Sequence, residues 1–163
     1  MHLTHTLPIF INDDSKALIL GSFPSVKSRE LGFYYSHKRN RFFSTLATIF
    51  NEECPNSVSD RQEFLKKHCI ALYDVIYECD ITNSSDSSIK NVVPIPISDI
   101  LSRYHHISVI GITGKKACSL FDKYLKQHIS DSIRIVYLPS TSPANARMND
   151  VELVDHFSYL FKC

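Results

Sequence analysis

Close cysteine pairs are missing from this 163-residue chain. Its five cysteines, Cys54, Cys69, Cys79, Cys118 and Cys163, are odd in number and widely spaced, with no C-x-x-C. Zinc and iron–sulfur sites are usually built from such pairs, so no metal is expected, and no cofactor either. The thiols read as small buried or idle groups of a reducing compartment. No apolar run approaches the roughly 18 residues of a membrane span. The opening Met1-His2-Leu3-Thr4-His5 lacks the basic region and apolar stretch of a secretory leader, so a cytoplasmic protein with no membrane partner is expected. No internal repeat or linker interrupts the chain, which predicts a single domain over 1–163, monomeric by default. Charge of one sign is lacking too: the formal net charge is +1, which argues neither for nor against a nucleic-acid partner.

What is present is an ordinary globular composition, 44% hydrophobic and 21% charged. The basic residues are unevenly placed. Lys27, Arg29, Lys38, Arg39 and Arg41, with His37, face the single acid Glu30 over that stretch. Such a stripe suits phosphates, although a solvated basic loop has the same composition. Four short apolar runs read as buried strands: Ala17–Leu20, Ile70–Tyr73, Ile107–Ile110 and Ile133–Leu138. Their continuous rather than alternating apolar character predicts parallel strands covered on both faces.

Between the strands lie helical patterns. Phe42, Phe43, Leu46, Ile49 and Phe50 share a face within 40–50. Ser59-Asp60-Arg61-Gln62 has capping-box form, Thr113 is a candidate cap for a helix from Gly114 to about His128, and Asn149 opens a last helix. The polar stretch 80–91 reads as a long loop. Strands alternating with helices predict an α/β protein, a three-layer α/β/α sandwich around a central four-stranded parallel sheet. Ligands of such sheets bind beyond the carboxyl ends of the strands, which selects the segments starting at Gly21, Asp74, Gly111 and Pro139.

Two of those segments carry unusual chemistry. Gly21-Ser22-Phe23-Pro24-Ser25 leads into Tyr34-Tyr35-Ser36-His37-Lys38-Arg39-Asn40-Arg41-Phe42-Phe43, where aromatics alternate with cations. That combination can stack bases and hold phosphates. A core-covering loop with aromatic anchors would look similar. Leu138-Pro139-Ser140-Thr141-Ser142-Pro143-Ala144-Asn145-Ala146-Arg147 is a rigid, donor-rich turn, and a plain capped turn before a helix is its bland counterpart. Two other readings fail on spacing. Gly111-Ile112-Thr113-Gly114-Lys115-Lys116 has too few residues between its glycines, and no Ser or Thr after Lys115, for a Walker A loop. Neither Ser140 nor Ser142 sits in the G-x-S-x-G elbow of a serine hydrolase.

Taken together, Gly21-Ser22-Phe23-Pro24-Ser25, the 34–43 segment and Ser140-Thr141-Ser142-Pro143-Ala144-Asn145 resemble the hypoxanthine-DNA (deoxyinosine) glycosylase family of the uracil-DNA glycosylase superfamily. Ile70-Ala71-Leu72-Tyr73-Asp74-Val75-Ile76 resembles that family's third strand-end segment, and Ser84-Ser85-Asp86-Ser87-Ser88-Ile89 its Gly-Ser-Leu-Asp-Ser-x-Ile loop. The resemblance runs from about Lys16 to Phe161 with its motifs in order. It implies an enzyme that excises a deaminated base from DNA. Related branches hold a catalytic Asp or Asn directly before the first proline, where this chain has Phe23. The resemblance implies that Asn40 takes over, and that Ser140 stands where other branches bind the developing base anion. Ser142 and Pro143 match the loop that pinches the phosphate backbone, with Asn145 and Arg147 where it enters the duplex. The chain departs from the family at Lys38 (usually Pro), Phe43 (usually Trp) and Ser84 (usually Gly).

These residues permit a monofunctional hydrolase. Arg39, Arg41, Ser25 and Ser142 would hold phosphates while a base is flipped, and Phe23 with Tyr34 or Tyr35 would sandwich it. Asn40 would place water against C1′, with His37 a candidate proton carrier. Ser140 and the backbone N–H groups of Ser22 and Phe23 are candidate donors to the leaving base. Small Ser25 suggests a pocket roomy enough for hypoxanthine, with uracil also admissible. The rival is a glycosylase-fold DNA-binding protein of weak or no activity, for which Phe23 speaks.

Overall fold

The computed structural model describes residues 1–82 and 86–162. In chain order its elements are β1 (His2–Thr4), β2 (Ala17–Gly21), α1 (Val26–Leu31), α2 (Phe42–Phe50), α3 (Val58–Lys67), β3 (Ile70–Asp74) and β4 (Ile76–Asp80). They continue with β5 (Lys90–Pro94), α4 (Ile97–Arg103), β6 (Val109–Thr113), α5 (Lys115–Tyr124), β7 (Arg134–Leu138) and α6 (Asp150–Ser158).

The central sheet has four parallel strands in the order β3-β2-β6-β7. Every residue of β2 and β6 is buried, as continuous apolar runs require when both faces are covered. Successive side chains alternate between two cores. Ala17 and Ile19 join Ile70, Leu72 and the apolar faces of α2, α3 and α6. Leu18 and Leu20 join Ala71, Ile110, Ile112, Ile97 of α4 and the Ala117–Leu120–Phe121 face of α5. Three layers result, as expected.

Several local expectations need correction. Gly111 does not end a strand, although it follows an apolar run. It lies inside β6, where a Cβ would stand 2.7 Å from a Leu160 methyl and 2.9 Å from one of Leu138. The glycine makes room for the C-terminal segment rather than for a turn. Thr113 is the last residue of β6 and donates to Leu20 O at 3.4 Å, so Gly114 caps α5. Ser57, not Ser59, caps α3 by accepting from Asp60 N. Asn149 caps α6 in a full capping box with Glu152.

A second sheet, antiparallel in the order β1-β4-β5, has no counterpart among the sequence expectations. The segment expected to be one long loop over 80–91 ends β4 at Asp80, makes a short 3-10 turn over Asp86–Ser88 and starts β5 at Lys90. Ser84, one of the residues bearing the family resemblance, lies outside the described residues.

Candidate active site

All four strand ends of the central sheet open on one cavity of ≈ 900 Å³. It is lined by Gly21, Asp74, Thr113 and Ser140 from the four strand ends, and by Tyr35, His37 and Asn40 from the segment before α2. The turn after the first strand of the sheet and the turn after its last strand thus share one cleft.

Asn40 is held by two donors. Its Oδ1 accepts from Phe42 N at 2.9 Å and from Thr141 Oγ1 at 2.8 Å. A backbone N–H only donates, so the atom it meets is the amide oxygen, and the NH₂ remains to face the cavity. Thr141 is 1% exposed, and its carbonyl accepts from Arg41 N at 3.1 Å. One buried threonine therefore clamps the 37–41 loop to the 139–147 turn.

That turn is stiffened from within. Ser140 Oγ accepts from Ser142 N at 3.1 Å, Ser142 Oγ from Ala144 N at 3.2 Å, and Asn145 Nδ2 donates to Ser140 O at 2.9 Å. Ser140, Ser142 and Pro143 line the cavity, and each hydroxyl keeps its own proton to donate. Asn145 lies behind the turn, and Arg147 is exposed and away from the cavity lining. Arg41 points inward, donating to Met148 O, Asn145 O and Asp150 Oδ1 at 2.7, 2.9 and 3.0 Å. Its guanidinium is a tie within the chain, not a free phosphate contact. Arg39 is exposed outside the cavity lining.

Among the expected base-pocket residues, Ser22, Phe23, Ser25, Tyr34 and Tyr35 all line the cavity. Ser25 also caps α1, its Oγ accepting from Ser28 N at 3.1 Å. Tyr34 is 3% exposed and donates to Pro8 O at 2.9 Å, so it is anchored in the wall. Tyr35 stacks on Phe42 with ring centroids 3.9 Å apart, which leaves one face at most for a base. Tyr35 also has a φ of 55°, an uncommon backbone conformation for a bulky residue and one that marks a constrained position. Burial and the neighbouring Asp74 charge push the Tyr35 phenol well above its ordinary pKa, so its hydroxyl is a donor.

The structure also brings into the site residues outside the expected set: His5, Lys115 and Lys116, with Asp74 from the strand end and Lys27 and Arg29 from the basic stripe. His5 Nε2 lies 2.8 Å from Asp74 Oδ2, with side chains 0% and 7% exposed. His5 is boxed by Phe23, Tyr34 and Tyr73. Lys27, Arg29, Lys115 and Lys116 line the same cavity against Glu30 and Asp74, so cations outnumber acids around it. Ending an apolar run marked Asp74 as the start of a strand-end segment, without a role for its side chain; His5 carries no such signal.

No protein-family model matches the chain. It is 29% identical to a hypoxanthine DNA glycosylase of Methanosarcina barkeri over 111 residues, 68% of this chain and 70% of that one. A hypoxanthine DNA glycosylase of Methanosarcina acetivorans is 26% identical over 143 residues, covering 87% and 88%. The solution structure of a candidate uracil DNA glycosylase from Methanosarcina acetivorans superposes with a TM-score of 0.81 at 25% identity, over 99% of this chain and 100% of that one.

Fold and cleft define a protein of the uracil-DNA glycosylase superfamily. Within it, the chain is hypoxanthine-DNA-glycosylase-like.

Proposed function

We propose that the protein is a DNA glycosylase that hydrolyses the N-glycosidic bond of a deaminated base, hypoxanthine foremost, with uracil admitted. The observation that carries this reading is the Asn40 amide, held rigidly by Thr141 and Phe42 over a cavity formed by both loops. Catalysis on a base requires flipping it from the stack, at a cost of a few kcal/mol. Ser142 with exposed Arg39, Lys27 and Lys115 would offset part of that cost through phosphate contacts.

As the bond breaks, the sugar gains oxocarbenium character and the base gains negative charge. The Asn40 NH₂ donates to a water, leaving a lone pair of that water for C1′. The amide orients and does not deprotonate: the proton that the water sheds on bonding to C1′ ends on the departed base anion, so the contribution of Asn40 is positional and the rate modest. The Ser140 hydroxyl and the Ser22 and Phe23 backbone N–H groups are the donors assigned to the leaving base. The protein acts as a monomer.

The test is a panel of oligonucleotides carrying hypoxanthine, uracil, xanthine or a G:T mismatch, with abasic sites revealed by alkali. Hypoxanthine excision that falls roughly 10²-fold or more in Asn40→Ala is the expected result. Binding of every substrate without cutting would establish the DNA-binding rival.

A further inference from the structure

Four side chains around the cavity repeat one device. His37 Nδ1 accepts from Arg39 N at 3.1 Å and Asn40 Oδ1 from Phe42 N at 2.9 Å, each from the backbone two residues on. Across the cleft, Ser140 and Ser142 accept in the same way from Ser142 N and Ala144 N. Each side chain commits an acceptor to its own loop and keeps a proton to donate.

For His37 this fixes the tautomer. A backbone N–H only donates, so Nδ1 is bare of hydrogen and the ring proton sits on Nε2. The lone pair of Nδ1 is engaged by Arg39, and Nε2 has none to offer. To take a proton from water, the ring would first have to give up Arg39. It stands instead as a neutral donor.

The place of that donor selects its acceptor. The 37–40 turn closes with Asn40 N donating to His37 O at 2.8 Å. It is pinned at both ends, by Ser36 N on Ser28 Oγ at 3.3 Å and by Arg41 N on Thr141 O at 3.1 Å. His37 and Asn40 are thus two corners of one fixed turn, and both line the cavity. Gly21 and Asp74 are buried at the floor, whereas His37 is half-buried and followed by exposed Lys38 and Arg39. With a base in the cavity and its C1′ at Asn40, the sugar–phosphate chain runs along this rim rather than the floor. Lys38 and Arg39 draw an anion to it.

Resting on the glycosylase reading above, we propose that His37 Nε2–H donates to a non-bridging oxygen of a phosphodiester flanking the flipped nucleotide. His37 binds substrate, and Arg39 N holds its ring in the donating tautomer. A neutral donor at this corner grips the backbone without adding positive charge beside the oxocarbenium at C1′, as a lysine or arginine would.

The test measures binding to duplexes holding tetrahydrofuran, an abasic sugar that takes base contacts out of the comparison. His37→Ala should weaken binding about tenfold or more, the loss expected for a hydrogen bond to a charged group. The slope of log K against log salt should stay as in wild type, because a neutral donor releases no counterion. His37→Asn, whose Oδ1 can accept from Arg39 N and whose NH₂ can donate, should bind within about threefold of wild type. Methylphosphonate placed in turn at each linkage beside the lesion identifies the oxygen. At one linkage it should weaken wild-type binding yet have little further effect in His37→Ala, since both changes remove the same bond. A role confined to shaping the turn would give losses that add at every linkage. Nitrogen-edited NMR of the wild-type protein needs no variant: the ring proton should sit on Nε2 and shift downfield when the tetrahydrofuran duplex is added. Additive losses at every flanking linkage, His37→Asn as weak as His37→Ala, or a ring proton on Nδ1 would each overturn the contact while excision of hypoxanthine keeps the glycosylase reading. Coupling to one phosphate in a wild-type protein that cuts no deaminated base would keep the contact and remove that reading.

Discussion

Thr141 Oγ1 donates to Asn40 Oδ1 across 2.8 Å, joining residues 101 positions apart. This bond makes one site from two loops and fixes which end of the Asn40 amide faces the cavity. Thr141→Val keeps the shape and removes the donor. Asn40 would retain the Phe42 N–H but lose its tether to the other loop. Hypoxanthine excision should fall on the order of tenfold, with stability lower by about 1 kcal/mol. Single-turnover kinetics and denaturant unfolding measure the two quantities. An unchanged rate would show that Asn40 needs no clamp.

Gly21 sits where β2 meets the cavity floor. Alanine there would place its Cβ 2.6 Å from Asp74 Oδ1, closer than real Cβ contacts come. Asp74 is itself tied to His5, so the carboxylate has little freedom to withdraw. Gly21→Ala should cost about 1–3 kcal/mol by overpacking and abolish measurable excision. Wild-type activity in that variant would show that the floor is free to rearrange.

The four-strand sheet was legible because burial on both faces leaves long apolar runs, a signal that needs no knowledge of partners. The second sheet was not. Its β1 has three residues, its β5 reads Lys-Asn-Val-Val-Pro, and its β4–β5 pairing shifts register twice. Short, half-exposed, irregular strands show no clean two-residue period. In the site, Asn40 was reached through resemblance, since nothing in its neighbours marks an amide as functional. Thr141 was hidden because its partner is remote in sequence. His5 was hidden because a histidine after a three-residue strand looks like surface until the fold carries it beneath Asp74. Arg41 misled for the opposite reason: in a basic run its charge suggests phosphate, while its fork fits three acceptors of its own chain.

The phenols around the floor give the protein an alkaline signature. Burial, aided by the Asp74 charge, raises Tyr34, Tyr35 and Tyr73 above the ordinary value of 10.0. In the unfolded chain these groups lose protons near pH 10, whereas the folded protein retains them. Below that pH the stabilisation from keeping them neutral is complete. Above it the unfolded state binds fewer protons, and stability declines as pH rises. Absorbance of phenolate should therefore show the exposed tyrosines titrating first and the buried set appearing together with loss of the native circular dichroism. A buried set that ionises while the fold persists would refute this.

Arg41 and the exposed cations make opposite predictions for DNA binding. Releasing one phosphate contact lowers the slope of log K against log salt by about 1. Arg39 and Lys115 are exposed, and Lys115 lies on the cavity wall, so Arg39→Ala and Lys115→Ala should each reduce the slope by about that amount. The Arg41 side chain is 23% exposed, and its donors are already held by Met148 O, Asn145 O and Asp150. Arg41→Ala should therefore leave the salt slope unchanged while lowering stability by about 1–3 kcal/mol, since three acceptors lose their partner. Arg41→Lys keeps the charge but cannot reproduce the planar fork, so it should be destabilised as well. Measurements at a series of salt concentrations, with thermal unfolding of the same variants, separate the two roles. A slope that drops by a full unit in Arg41→Ala at unchanged stability would return Arg41 to the phosphate-binding surface.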